Sequence, residues 1–391
     1  MPATATVGRP AHLSEAPKLD LDKRNEIARG YILIGVFILH VVMQVPYLVH
    51  DPMNAPAAFA LIKLIRPHVE LFFLLSGMSS RGIGKRSLHA VLQQALMLVL
   101  LSWVSHVVGV FIVNSLYGGY GTGRLFIKAL FKPIILGVGW STYVPWFFTV
   151  LAIVRVLAWL FARNKFAFVA AWIILAGFIF MTNHLHRVNC YEWQNWPLST
   201  LFFIIGMKLP KNLEVSRKWG LCALAGAVLL TWFNVPHFFS TRPCLICHLA
   251  FSANLPHGPK PDGSIGTLPV FLAQECLLFI FTLWAAQAPL APIAGAARFF
   301  GRMSLQVLVL EGWWMATIDQ YFWRHEPDRI GFPMLAGILV LTPCAHFLAL
   351  KIFAPWLNNI VSACSQASQF LMSRRLWRAV SGLQYAWAKR A

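Results

Sequence analysis

Arg29 and His40 bracket the run Arg29-Gly30-Tyr31-Ile32-Leu33-Ile34-Gly35-Val36-Phe37-Ile38-Leu39-His40. At about 100° per residue, the steps between them sum to roughly 1100°, some 20° past three turns, so one helix face carries both side chains. At about 1.5 Å per residue, the histidine lies about 16 Å further along the axis. If this helix enters lipid near Arg29, His40 is buried near or beyond the middle of the bilayer, where an ionisable group is costly and usually functional. Glu311 lies eight residues past Met303, roughly 12 Å into its own apolar run and at a similar depth. A buried carboxylate beside a neutral imidazole suits proton transfer, because the ring removes a proton while the carboxylate fixes its tautomer and stabilises the imidazolium. Glu275, mid-run elsewhere, is a second candidate for that partner. Each acid taken alone also reads as a polar contact that packs helices.

Further charges fall inside apolar segments. Lys63, Arg66 and Glu70 are spaced three and four apart and share a helix face. Arg66 and Glu70 can pair as a structural lock between helices, or the stripe can neutralise a bound anion. His68 points elsewhere and reads as a core histidine. Arg155 either snorkels to the inner interface or meets the phosphates of a cytoplasmic ligand. The motif Cys244-Leu245-Ile246-Cys247-His248 fits covalent haem attachment, a zinc site completed by His237 or His257, or a disulfide, and all three readings stay open.

These groups need a membrane scaffold to position them. The 391 residues are 58% hydrophobic and 12% charged, with a mean hydropathy of +0.62. The pattern predicts an all-α polytopic bundle of ten spans, at about 27–47, 57–79, 88–114, 145–162, 166–182, 198–208, 219–234, 267–288, 303–318 and 331–352. The span at 198–208 reaches bilayer length only if Tyr191 to Pro197 enters the membrane. The domain plan is a cytoplasmic lead at 1–24, a transmembrane domain at 25–352 and a basic amphipathic tail at 353–391. In that tail Arg374, Arg375 and Arg378 suit anionic lipid. Lys and Arg concentrate on the side of the N terminus, so both termini are expected in the cytoplasm. The net charge of +19 lies beside apolar segments, which argues for a lipid bilayer as partner and against nucleic acid. Cys222, Cys276 and Cys344 sit in apolar runs and are expected in the core.

Four motifs occur in order: Arg29 with His40, Glu70-Leu71-Phe72-Phe73-Leu74-Leu75-Ser76-Gly77, Trp146-Phe147-Phe148, and Phe203-Ile204-Ile205-Gly206-Met207. Together they resemble acyltransferase family 3, bacterial integral membrane O-acyltransferases that modify carbohydrates, over roughly residues 24–352. The resemblance implies a bacterial inner-membrane enzyme with no tightly bound cofactor and no metal, using acyl-CoA as co-substrate on the cytoplasmic side. The acceptor is a hydroxyl of a surface or periplasmic carbohydrate or glycolipid. By position, His40 becomes the general base or transient acyl carrier, with Arg29 as its essential companion and Glu311 as orienting partner. Arg81, Lys85 and Arg155 fall to the donor phosphates. Lys63, Arg66, Glu70 and Trp146 fall to the acceptor, or to an anion such as the carboxylate of a succinyl donor. Two departures stand out. Glu70 occupies a place where the family usually has Asp. The late Ser-Tyr-x-x-Tyr-Leu-x-His pattern reads Ser304-Leu305-Gln306-Val307-Leu308-Val309-Leu310-Glu311, with Glu311 at the histidine's place. A proton-coupled transporter using the same buried groups is the rival reading.

Overall fold

A chain this apolar satisfies its backbone in lipid by forming helices, whose hydrogen bonds close within each segment. The computed structural model describes residues 21–48, 68–117, 123–137, 140, 142, 144–184, 190–210, 213–233, 264–287, 291–325 and 332–373. Among them the regular structure is helical: α1 (Leu21–Leu48), α2 (His68–Ser79), α3 (Leu88–Tyr117), α4 (Arg124–Leu136), α5 (Pro145–Arg163) and α6 (Lys165–His184). The second half comprises α7 (Trp196–Lys208), α8 (Arg217–Phe233), α9 (Ser264–Gln287), α10 (Ala291–Arg302), α11 (Ser304–His325) and α12 (Phe332–Leu371).

Ten of these helices overlap the expected spans. The other two, α4 and α10, are short and amphipathic. By length and apolar content, three described helical stretches suffice to cross a membrane: Leu88–Leu116, Pro145–Arg163 and Leu339–Leu371. A fourth span is available if α10 and α11, which meet at 93°, act as one broken element. Cysteines overturn one expectation. Cys222, Cys276 and Cys344 are exposed, not buried, because the outer surface of such a bundle is itself apolar. Phe166, Ile174 and Ile352 face outward for the same reason. The tail expected from 353 begins inside α12, which runs unbroken to Leu371. Its Arg374, Arg375 and Arg378 lie outside the described residues.

α1 packs against α2, α9, α10, α11 and α12, so it is the hub of the bundle. Two crossings are close enough to require glycine. A Cβ on Gly30 would come within 1.7 Å of the Ala297 carbonyl oxygen, and one on Gly301 within 1.8 Å of that of Glu26, which sets α10 against α1. Likewise Gly77 meets the Phe203 carbonyl and Gly206 that of Leu74, each with a virtual Cβ only 2.0 Å away. The glycines of two sequence motifs thus form one reciprocal crossing between α2 and α7. Polar ties fix the other elements. The Ser102 hydroxyl donates to the Pro145 carbonyl (2.8 Å) and the Trp313 indole to that of Ser105 (2.8 Å), holding α5 and α11 on α3.

Gly206→Ala is expected to lower stability by about 1–3 kcal/mol or more through overpacking at a backbone contact. Gly295→Ala, whose Cβ meets nothing within 4 Å, should instead gain up to about 1 kcal/mol from helix propensity. Thermal unfolding of the two variants in one detergent compares them directly, and equal shifts would contradict the close crossing.

Candidate active site

The helical face read from Arg29 and His40 turns into the bundle. At its N-terminal end the half-buried Arg29 donates from Nη2 to Ser79 Oγ at 2.9 Å, and that hydroxyl donates to the Leu75 carbonyl at 3.0 Å. Since Ser79 is the last residue of α2, Arg29 stands at the same end of the bundle as the basic turn Arg81, Lys85 and Arg86. The beginning of α11 is brought to this end by α10. Glu26, one turn before Arg29 on α1, accepts at Oε2 from Nε of Arg298 on α10 at 2.9 Å. Seven residues into α11, about 10 Å along its axis, Glu311 therefore rises beside α1.

There His40 Nδ1 and Glu311 Oε1 lie 2.6 Å apart. The carboxylate is fully buried, while the imidazole keeps 16% of its side chain exposed. With the carboxylate ionised, Nδ1 carries the proton and donates it, which leaves Nε2 as the ring's basic atom. Trp313, two residues further on, holds the register of α11 against α3. Glu275, the other acid proposed as partner, is also fully buried, on α9 against α1 and α2, but the carboxylate that His40 meets is Glu311.

The cationic residues divide. Arg155 Nη2 donates to Gln94 Oε1 at 2.6 Å, and Arg86 Nη1 donates to the same oxygen at 3.0 Å. Two guanidinium groups thus share one neutral acceptor, and among the described residues no carboxylate pairs with either. Arg155 Nε is buried without a hydrogen-bond partner among the described residues, and so are Nε and Nη2 of Arg81. Burial pushes the Arg81 pKa below its ordinary value; a guanidinium group nonetheless stays charged. Lys85 is exposed at the same turn. Such a concentration of unpaired N–H donors suits an anion with several oxygens, such as a phosphate. Lys63, Arg66 and the Cys244, Cys247 and His248 motif lie outside the described residues. Glu70 is buried in the first turn of α2. Trp146 is half-buried and lines an apolar cavity with Phe147.

Sequence reasoning missed three groups. Gln94 and Arg86 belong to the same cluster as Arg155, and the signal was a glutamine pair within an otherwise apolar helix. His346 is fully buried on α12, its ring stacked on Phe37 at 4.5 Å and lying 5.9 Å from Phe300. Its only signal was a lone histidine in an apolar run, which does not separate a packing role from a chemical one.

Gln94→Leu is expected to cost about 1–3 kcal/mol by removing the acceptor of a buried guanidinium. Gln94→Glu should raise the unfolding temperature, since a carboxylate between two arginines forms charge-assisted bonds. If the glutamate variant unfolds as early as the leucine variant, the shared contact is misassigned.

Compared with known proteins, the chain matches the model of the family described as "Acyltransferase domain" over residues 23–354. No curated protein and no solved structure matches it.

Proposed function

We propose, for a chain that belongs to the acyltransferase domain family, acyltransferase family 3, transfer of a short acyl group from a cytoplasmic acyl-CoA to a carbohydrate or glycolipid hydroxyl beyond the membrane. Membership makes the protein a membrane acyltransferase, which sets the transporter reading aside. The observation that carries the finer reading is the 2.6 Å contact between His40 Nδ1 and Glu311 Oε1 on the helix face that bears Arg29.

Nε2 of His40 takes the proton of the acceptor hydroxyl while its oxygen attacks the thioester carbonyl. A C–O bond forms, the C–S bond breaks and the CoA sulfur leaves as a thiolate. The imidazolium then returns its proton to that sulfur, so ester and free thiol are the products. Glu311 stays ionised throughout and stabilises the transient positive ring. Formation of an acyl-imidazole on the same nitrogen gives the same overall balance in two steps.

Arg29, Arg81, Arg86, Lys85 and Arg155 gather at one end of the bundle, where they neutralise the donor phosphates. The unpartnered N–H groups of Arg81 and Arg155 support that role. In this arrangement that end faces the cytoplasm of a bacterial cell, with both termini on the same side of the inner membrane. The concentration of Lys and Arg in those segments supports it. Lys63 and Arg66, with Glu70 and Trp146, serve an anionic acceptor in this reading.

His40→Ala should abolish acylation while leaving folded protein in the membrane. Glu311→Gln should lower kcat by about 10²–10⁴-fold and move the donor KM little, since it removes stabilisation that develops in the transition state. Mass spectrometry of surface and periplasmic glycans, from cells carrying each variant or none, reads the loss of acyl groups and identifies the acceptor. Glycans that are identical with and without the protein would refute the proposed acceptor class, and full turnover by His40→Ala would refute the base.

A further inference from the structure

The outward side of α4 mixes two chemistries. At about 100° per residue, Arg124, Lys128 and Lys132 fall within one strip about 80° wide, and Ile127, Phe131 and Ile135 form a second strip centred about 60° from it. The three cations are exposed, and the three apolar side chains are each at least half exposed. No ion pair engages these cations among the described residues. The opposite side is docked on the bundle. Pro133 has no N–H to give the Ala129 carbonyl one turn before it, and Nε2 of His106 on α3 donates to that carbonyl instead, at 3.1 Å. The Tyr191 hydroxyl donates to the Ile134 carbonyl in the last turn, where a helix leaves such groups without internal partners.

The level of α4 in the bundle follows from α3. Phe126 stands edge-on to Phe111, and Trp140, just past the helix, stands edge-on to His106, each at 5.4 Å. Contacts near the start, in the middle and beyond the end of α4 therefore fall on residues 106–111 of α3, a slab of about 8 Å. α3 starts at Leu88, beside the basic turn of Arg81, Lys85 and Arg86, so the slab lies about 27–35 Å along the axis from its start. The hydrocarbon core of a bilayer is about 30 Å thick, which sets α4 at the far interface. Water would leave its apolar strip unburied and hydrocarbon would leave its cations unsolvated, whereas the headgroup boundary satisfies both. We infer that α4 is an interfacial helix that binds anionic phospholipid headgroups at the membrane face opposite the arginine cluster. Arg124, Lys128 and Lys132 meet the phosphates, while Ile127, Phe131 and Ile135 enter the adjoining acyl chains. Charge selects an anionic lipid over a zwitterionic one, since attraction grows with each cation near the surface. The apolar strip selects a lipid over a free phosphate, which has nothing to place there.

Photolabelling of the full chain in phosphatidylcholine nanodiscs tests this, using phosphatidylglycerol or phosphatidylcholine with a diazirine near the headgroup and peptide mapping as the readout. The segment 124–136 is expected to take at least about tenfold more label from phosphatidylglycerol than from phosphatidylcholine, a preference that falls as salt rises. Lys128→Gln combined with Lys132→Gln should bring the two lipids within about twofold of each other on that segment. Both lysines are exposed, so an unchanged unfolding temperature and unchanged labelling at the Arg81 to Arg86 turn report an intact fold. Phe131→Ser should weaken labelling by both lipids, and inorganic phosphate in large excess should not compete. Equal labelling by the two lipids in the wild type, a preference that survives loss of both lysines, or unaltered labelling of Phe131→Ser would overturn the headgroup assignment. Competition by inorganic phosphate would make this a site for a free anion, and absence of label from either lipid would show the face covered by a second copy or another protein. Either result overturns the lipid assignment as well.

Discussion

A carboxylate taken into the interior of an apolar bundle loses hydration worth several kcal/mol unless a partner replaces it. Glu311 is fully buried, and the group that meets it is the Nδ1 edge of His40, 271 residues away in the chain. That contact dictates how α1 and α11 must be rotated toward each other. It also orients the imidazole by committing its Nδ1 edge to the carboxylate. The helices that surround the pair can be understood as what holds this rotation in place.

Glycine does much of that holding. Membrane helices gain little from hydrophobic burial against one another, because lipid is as apolar as a leucine side chain, so close backbone approach and polar contacts carry the association. The crossing of α1 on α10 through Gly30 and Gly301 brings the start of α11 beside the N-terminal half of α1. The reciprocal crossing of α2 on α7 through Gly77 and Gly206 fixes the helix whose end receives Arg29. Hydrogen bonds from Ser102 and Trp313 then pin α5 and α11 to α3. Each device acts at some distance from His40, yet each limits where the ring can lie.

Along α1 the face from Arg29 to His40 passes through three environments. Its Arg29 end lies at the same end of the bundle as a cluster in which Arg86 and Arg155 share the neutral carbonyl of Gln94, with no carboxylate pairing either among the described residues. The middle is lined by Leu33 and Val36 and faces aromatic rings. Its far end meets the buried acid.

The helical class, the approximate spans and the shared face of Arg29 and His40 were legible in the sequence because each depends on local periodicity: 3.6 residues per turn fixes directions within one helix. The motifs marked the family for a related reason, since glycines at backbone crossings and rings in a packed wall leave types and spacings that survive in one dimension. Depth along the helices put Glu311 first as the histidine's partner, but periodicity alone did not exclude Glu275. Glu275 and Glu311 look alike in apolar runs, and only the relative rotation of α1, α9 and α11 separates them. The same holds for the sharing of Gln94 by two arginines, for the stacking of His346 on Phe37, and for Cys222, Cys276 and Cys344, whose apolar neighbours surround core and lipid-facing positions equally. The rotation of one helix about its axis relative to another is set by side chains far apart in the chain, so periodicity determined the faces and tertiary packing decided which of them meet.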